Sequence, residues 1–159
     1  MLITPLARSH ILVKAIVEEF CPRFVPGGVI LYTGEAERNV VHVQIEKLAR
    51  IGVVFDPEVK TPSVVVHRAA KNWLVLIETI NGAGPVDDKR RRELKGLFAR
   101  CKSDLLFVTA FETRRGMLPF FSQIAWESEV WIAETPDHMI HFNGRRILGP
   151  YPDALPKES

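Results

Sequence analysis

Apolar residues recur at helical spacing near the start of the chain. In residues 11–20, ILVKAIVEEF, Leu12, Ile16 and Phe20 lie on one stripe with Val13 and Val17 beside it, leaving Lys14, Glu18 and Glu19 to solvent. Ser9 stands where an N-cap belongs, and Cys21-Pro22 marks the end, because proline disfavours helical geometry in the residue before it. The chain then turns through Pro26-Gly27-Gly28 into a short apolar strand at 29–33. A second helix is expected over 39–50, where Val41, Ile45 and Leu48 recur at helical spacing and Gly52 follows as a C-cap.

Beyond residue 60 the period changes. Val64-Val65-Val66-His67 and the run 73–78 are short and rich in β-branched residues, which argues for two strands of a hairpin turning around 69–72. The segment NGAGPV at 81–86 reads as a loop. It leads to a helix over 88–100 that buries Leu94, Leu97 and Phe98, keeps Lys89, Arg90, Arg91, Arg92 and Lys95 polar, and is capped by Asp87 or Asp88. Residues 105–109 are apolar throughout, as a central strand covered on both faces should be. A short helix at 117–125 precedes strands at 129–134 and 138–142, with a turn near Pro136-Asp137 between them and a further turn signal at Asn143-Gly144. The order α-β-α-β-β-α-β-α-β-β describes an α/β domain, a mixed sheet with helices packed against it.

Composition narrows the classes. With 159 residues, 47% of them hydrophobic and 25% charged, the chain supports one self-sufficient core and is neither disordered nor fibrous. One domain over 1–151 is expected, with 152–159 as an irregular, proline-containing tail. No apolar run is long enough to cross a bilayer, and residues 1–20 lack the layout of an export signal. Cys21 and Cys101 have no CxxC spacing and fit reduced thiols of a cytoplasmic protein better than a disulfide or zinc framework. Twenty-one Lys and Arg against nineteen Asp and Glu leave a net charge of +2, which permits a nucleic-acid surface only where the positive charges are segregated.

Glu78 is the residue whose placement most asks for a cause. It closes a strand whose four preceding residues are apolar, so its carboxylate needs a metal, hydrogen bonds or a basic neighbour. Two adjacent strands contributing one carboxylate each would build a divalent-metal site able to set water against a phosphodiester. Here position 63, at the start of the first strand, is serine, and an ordinary strand-terminal charge is the competing reading of Glu78. Asn81, Gly82 and Gly84 either admit a phosphate to the backbone or simply make the turn. Lys89, Arg90, Arg91 and Arg92 lie at a helix N-terminus that favours anions, but they occupy several faces and cannot all touch one phosphate backbone. Trp126 and Trp131 read as core anchors and Glu129 as a structural carboxylate. His67, His138 and His141 read as core or surface histidines rather than zinc ligands.

Residues 24–151 resemble the C-terminal domain of the PstI/BsuBI-type restriction endonucleases. The resemblance is carried by FVPGGVILYTG, KTPSVVV, KNWLVLIETINGAGPV, KRRREL and VTAF, and above all by AWESEVWIAETPDHMIHFNGRRILGPY at 125–151. It implies a restriction-endonuclease-like fold of the PD-(D/E)xK superfamily, a mixed central sheet flanked by helices around a Mg²⁺ site. The implied activity is hydrolysis of double-stranded DNA, and a palindromic target would imply a homodimer. Pro62 and position 63 align with the family's Pro-Asp pair, and Glu78 with the acidic residue of the next strand. The implied catalytic residues are therefore Ser63, Glu78 and Lys60, with Glu78 as metal ligand. The implied DNA contacts are Lys89, Arg90, Arg91, Arg92, Arg145 and Arg146.

Two departures set this chain apart from the family pattern. Ser63 stands where aspartate is expected, and Ile80 where a lysine is expected two residues after Glu78. Lys60, just ahead of the Pro-Asp position, is the preferred replacement cation; Lys71 and the run at 89–92 are the others, if the fold carries one of them back. Asp56, Glu58 or Glu46 could supply a substitute carboxylate by entering the site. Two functional readings stand: a Mg²⁺-dependent type II endonuclease, and a nuclease-fold protein that binds DNA or serves structurally without cutting. Because the family's enzymes carry an additional N-terminal domain, a catalytic-core fragment or mutated chain is a third expectation.

Overall fold

Val64 to Val66, Leu74 to Ile77 and Phe107 to Ala110 are buried without interruption, which requires a covering layer on both faces of the strands that hold them. The computed structural model describes residues 5–34, 40–80 and 84–143, with the backbone alone at 5–9, 40 and 41. In chain order the elements are α1 (Pro5–Ala15), a π turn (Ile16–Phe20), α2 (Cys21–Phe24), β1 (Val29–Gly34), β2 (Val40–Val43), α3 (Ile45–Arg50) and β3 (Val64–Arg68). A 3-10 turn (Ala69–Lys71) leads to β4 (Trp73–Thr79), α4 (Asp88–Leu97), β5 (Asp104–Phe111) and α5 (Arg114–Met117). A 3-10 stretch (Leu118–Gln123), β6 (Ser128–Ile132) and β7 (Met139–Phe142) complete the described chain.

The strands form one sheet in the order β2-β1-β3-β4-β5-β6-β7. β4, β5 and β6 are parallel, and the outer pairs are antiparallel. Parallel neighbours need crossovers, which α4 supplies between β4 and β5, and α5 with its 3-10 extension between β5 and β6. Alternation then sorts the side chains. Leu12, Ile16 and Phe20 pack on Val64, Val66, Val75, Ile77, Val108 and Ala110, and Phe20 meets Trp131 edge-on with ring centroids 5.5 Å apart. On the opposite face, Leu48 of α3 and Leu94 with Phe98 cover Val65, Leu74, Leu76 and Phe107. Leu74 and Leu76 thus face α4, and Glu78 is the next residue in that row.

Several expectations are corrected. The first helix does not stop at Cys21-Pro22: Cys21 donates its N–H to Ile16 O, five residues back, and this π turn leads into α2 with Pro22 in its first turn, where no N–H is required. Ser9 lies inside α1 rather than capping it. Residues 40–43 form an edge strand paired with β1, in keeping with their three valines, and helix begins only at Ile45. Leu97 is 41% exposed and Trp126 71% exposed, whereas Trp131 is fully buried. The expected helix at 117–125 is a single α turn continued as 3-10. Asp87 does cap α4, accepting the Arg90 N–H at 2.7 Å. Both cysteines are free, and burial pushes the Cys21 thiol up to about 12. Among the described residues, no helix is long and apolar enough to cross a membrane. Gly144 and the 152–159 tail lie outside the described residues.

Gly52 sits at φ +89, and a Cβ there would come within 2.3 Å of Arg100 O. Gly96, in α4, has open space around it. Gly52→Ala should therefore cost about 1–3 kcal/mol. Gly96→Ala should instead add about 0.5–1 kcal/mol, both measured by urea denaturation.

Candidate active site at the end of β4

Glu78 stands opposite Thr109 of β5 and is completely buried. A lone carboxylate cannot be kept there, and its partner comes from α4. Arg90, Leu94 and Phe98 are spaced at four-residue intervals, so all three fall on the helical stripe that faces the sheet, and all three are buried. Arg90 donates to Glu78 Oε1 twice, from Nε at 3.0 Å and from Nη2 at 2.8 Å. Nη2 also reaches the main-chain oxygen of Lys60 at 2.8 Å, and Nη1 lies 3.4 Å from Glu93. Glu78 Oε2 is buried with no hydrogen-bond partner. Burial pushes the Glu78 carboxyl up to about 7, against the charge and hydrogen bonds of Arg90 and the charge of Lys60, which pull it down.

Ser63 lies in the bend just before β3, one residue beyond the Val64–Ile77 pair that registers β3 on β4. Its hydroxyl is 3.1 Å from Thr79 Oγ1 and accepts the Thr79 N–H at 3.2 Å, while its carbonyl accepts the Gly34 N–H at 2.9 Å. Val86 N–H donates to Thr109 Oγ1 at 3.0 Å, which ties the segment entering α4 to the strand beside Glu78. Ser63, Glu78 and Lys60 are thus brought to one end of the β3–β4 pair.

Residues 3–145 match the BsuBI/PstI restriction endonuclease domain. The chain belongs to that family. It is 47% identical over 149 residues to the type II restriction enzyme BsuBI of Bacillus subtilis, covering 94% of this chain and 47% of that one. It is 28% identical over 151 residues to the type II restriction enzyme AplI of Arthrospira platensis, covering 87% of this chain and 44% of the other. The solved structure of the SdaI restriction endonuclease superposes with a TM-score of 0.82 at 41% identity, covering 90% of this chain and 45% of that one. The chain spans about half the length of the curated relatives it matches.

The family's PD-(D/E)xK expectation raises the question of Mg²⁺. Among the described residues, no group of three or more His, Cys, Asp or Glu side chains is placed to hold a metal, and Asp56, Glu58 and Glu46 do not supply one. What remains is Glu78 Oε2, free of donors, and the neutral Ser63 hydroxyl, already engaged by Thr79. Mg²⁺ is often held by one or two carboxylates and completed by water, so this donor set fits an ion held weakly. The positive charge of Arg90 on the other carboxylate oxygen opposes any tighter hold.

The basic run divides three ways. Lys89 and Arg92 are exposed. Arg91 lies over the Phe107 ring at 5.5 Å and 3.4 Å from Glu127. Arg90, grouped with them as a polar helix residue and DNA contact, is instead 6% exposed and paired with Glu78, because its place on the Leu94–Phe98 stripe turns it inward. Lys71 is exposed at the far end of the hairpin from Glu78. Glu129 pairs with His141, its cross-strand neighbour, and His67 Nε2 lies 3.2 Å from Ser103 Oγ. Arg145, Arg146, Asn81 and Gly82 lie outside the described residues.

The buried pair has a pH signature. The folded Glu78 value of about 7 lies above the ordinary 4.5, so the native state holds this proton more tightly than the unfolded chain. Its contribution to stability is therefore full at low pH and declines as pH rises from about 4.5 to about 7. Arg90→Met removes the charge that favours the carboxylate. In paired denaturant titrations that variant should lose up to about 1.4 kcal/mol more at pH 8 than at pH 5, where Glu78 is neutral.

Proposed function

We propose that this chain is the nuclease half of a type II restriction endonuclease-like protein that hydrolyses double-stranded DNA with Mg²⁺. The observation that carries the reading is Glu78: a carboxylate at the end of an inner strand, at the family's acidic position, with one oxygen gripped and the other free. Glu78, the Ser63 hydroxyl, water and phosphate oxygens would hold the ion. When bound, Mg²⁺ supplies a Lewis acid and a water acidified for attack on phosphorus. Arg90 keeps the carboxylate oriented, and Lys60, whose charge already acts on Glu78, balances charge on the scissile phosphate. Lys89 and Arg92, with Arg145 and Arg146, contact backbone phosphates. A separate N-terminal domain, a two-fold homodimer acting on a palindromic site and a cytoplasmic place of action complete the proposal.

A second reading, a domain that engages DNA without cutting, is favoured by one observation. Ser63 is uncharged and its hydroxyl is already hydrogen-bonded to Thr79, so the second carboxylate of a metal site is missing.

Cleavage of a mixed-sequence plasmid with Mg²⁺ or Mn²⁺, against EDTA and a folded Glu78→Ala control, tests the proposal. Metal-dependent nicking lost in the control is the expected result; an intact plasmid, with folding and duplex binding verified, supports the second reading. Ser63→Asp should raise metal-dependent cutting by roughly tenfold or more. A folded Ser63→Asp variant that stays inactive would contradict a site impaired only by the lost aspartate.

A further inference from the structure

Arg90 meets two acceptors from distant parts of the chain. Nε and Nη2 grip Oε1 of Glu78 at the end of β4, and the same Nη2 donates to the main-chain oxygen of Lys60, thirty residues before Arg90. Residues 53–63, between α3 and β3, contain no helix or strand, yet this segment delivers Lys60 and Ser63 to the site. Arg90 is itself rigidly held: Asp87 accepts its N–H at 2.7 Å, and its helical stripe is buried through Leu94 and Phe98.

We infer that Arg90 is the positioning residue of the site, a single guanidinium that fixes the Glu78 carboxylate and clamps the Lys60–Ser63 segment against the end of β4. The planar fork suits the task because it offers several donors in fixed directions, which one lysine ammonium cannot reproduce. Holding Glu78 by Oε1 alone leaves Oε2 as the oxygen available to whatever the site binds. The chemistry that Glu78 then serves rests on the nuclease reading; the clamp does not.

Amide exchange separates the two. Gly34 N–H donates to Ser63 O at 2.9 Å, so it reports release of the 60–63 segment, while β5 amides report global opening. The full chain is compared with Arg90→Lys, Arg90→Met and Glu78→Gln. Arg90→Lys should speed Gly34 exchange by roughly tenfold or more relative to β5, and Glu78→Gln, which keeps the Arg90 bond to Lys60 O, should leave that ratio near wild type. If Arg90→Met does not fold, Arg90→Lys alone decides. Gly34 accelerating only in step with β5, or equally in Glu78→Gln, would overturn the clamp and leave Arg90 a purely structural cation. Where the wild-type chain cuts DNA, Arg90→Lys should lower kcat rather than raise KM, and a rise in KM alone would count against positioning. A wild-type chain that does not cut removes the nuclease reading while the exchange ratio still decides the clamp.

Discussion

The site is organised around one buried ion pair. Glu78 lies at the end of a strand with no exposure to water, and Arg90 is the only described basic side chain in hydrogen-bond contact with it. A pair of this kind is not in itself a source of stability, since desolvating two charges offsets much of their attraction. It acts as a constraint. Once Glu78 is buried, α4 must begin where Arg90 can reach it. Asp87 at the helix N-cap and the Val86 bond to Thr109 fix that start.

The constraint reaches outward to the chemistry. Because Arg90 engages only one carboxylate oxygen, the other oxygen of Glu78 stays buried with no hydrogen-bond partner among the described residues. Ser63 lies beside it with a hydroxyl held by Thr79. An aspartate at that position would bring a second negative charge to the end of the β3–β4 hairpin, while the serine leaves the Glu78–Arg90 pair nearly neutral. Family membership and an incomplete pair of carboxylates therefore meet in the same few residues.

Much of this architecture was legible in the sequence, for physical reasons. The hairpin of β3 and β4, the central strand β5 and the helix capped by Asp87 declared themselves through β-branched runs, uniform apolarity and a capping residue. The edge strand β2 did not, because Val41, Ile45 and Leu48 mimic helical spacing across an element boundary. Pro22 misled for a similar reason: a π turn leads into a helical turn that can accept a proline at its start. Glu78 was marked by its apolar strand, but Arg90 was submerged in a run of four cations. The signal that separates it was present, since Arg90, Leu94 and Phe98 share one stripe whereas Lys89 and Arg92 do not. The bond from Arg90 to Lys60 O had no signal at all, because main-chain contacts between distant segments leave no trace in residue type.

The most direct test is a double-mutant cycle on the pair, with urea denaturation of the wild type, Glu78→Gln, Arg90→Met and the double variant at pH 8. The pair described here predicts a coupling of about 2–3 kcal/mol, with the double variant more stable than Arg90→Met alone. Effects that add to within about 0.5 kcal/mol would show that the two side chains do not depend on each other, and would remove the interaction on which the site is built.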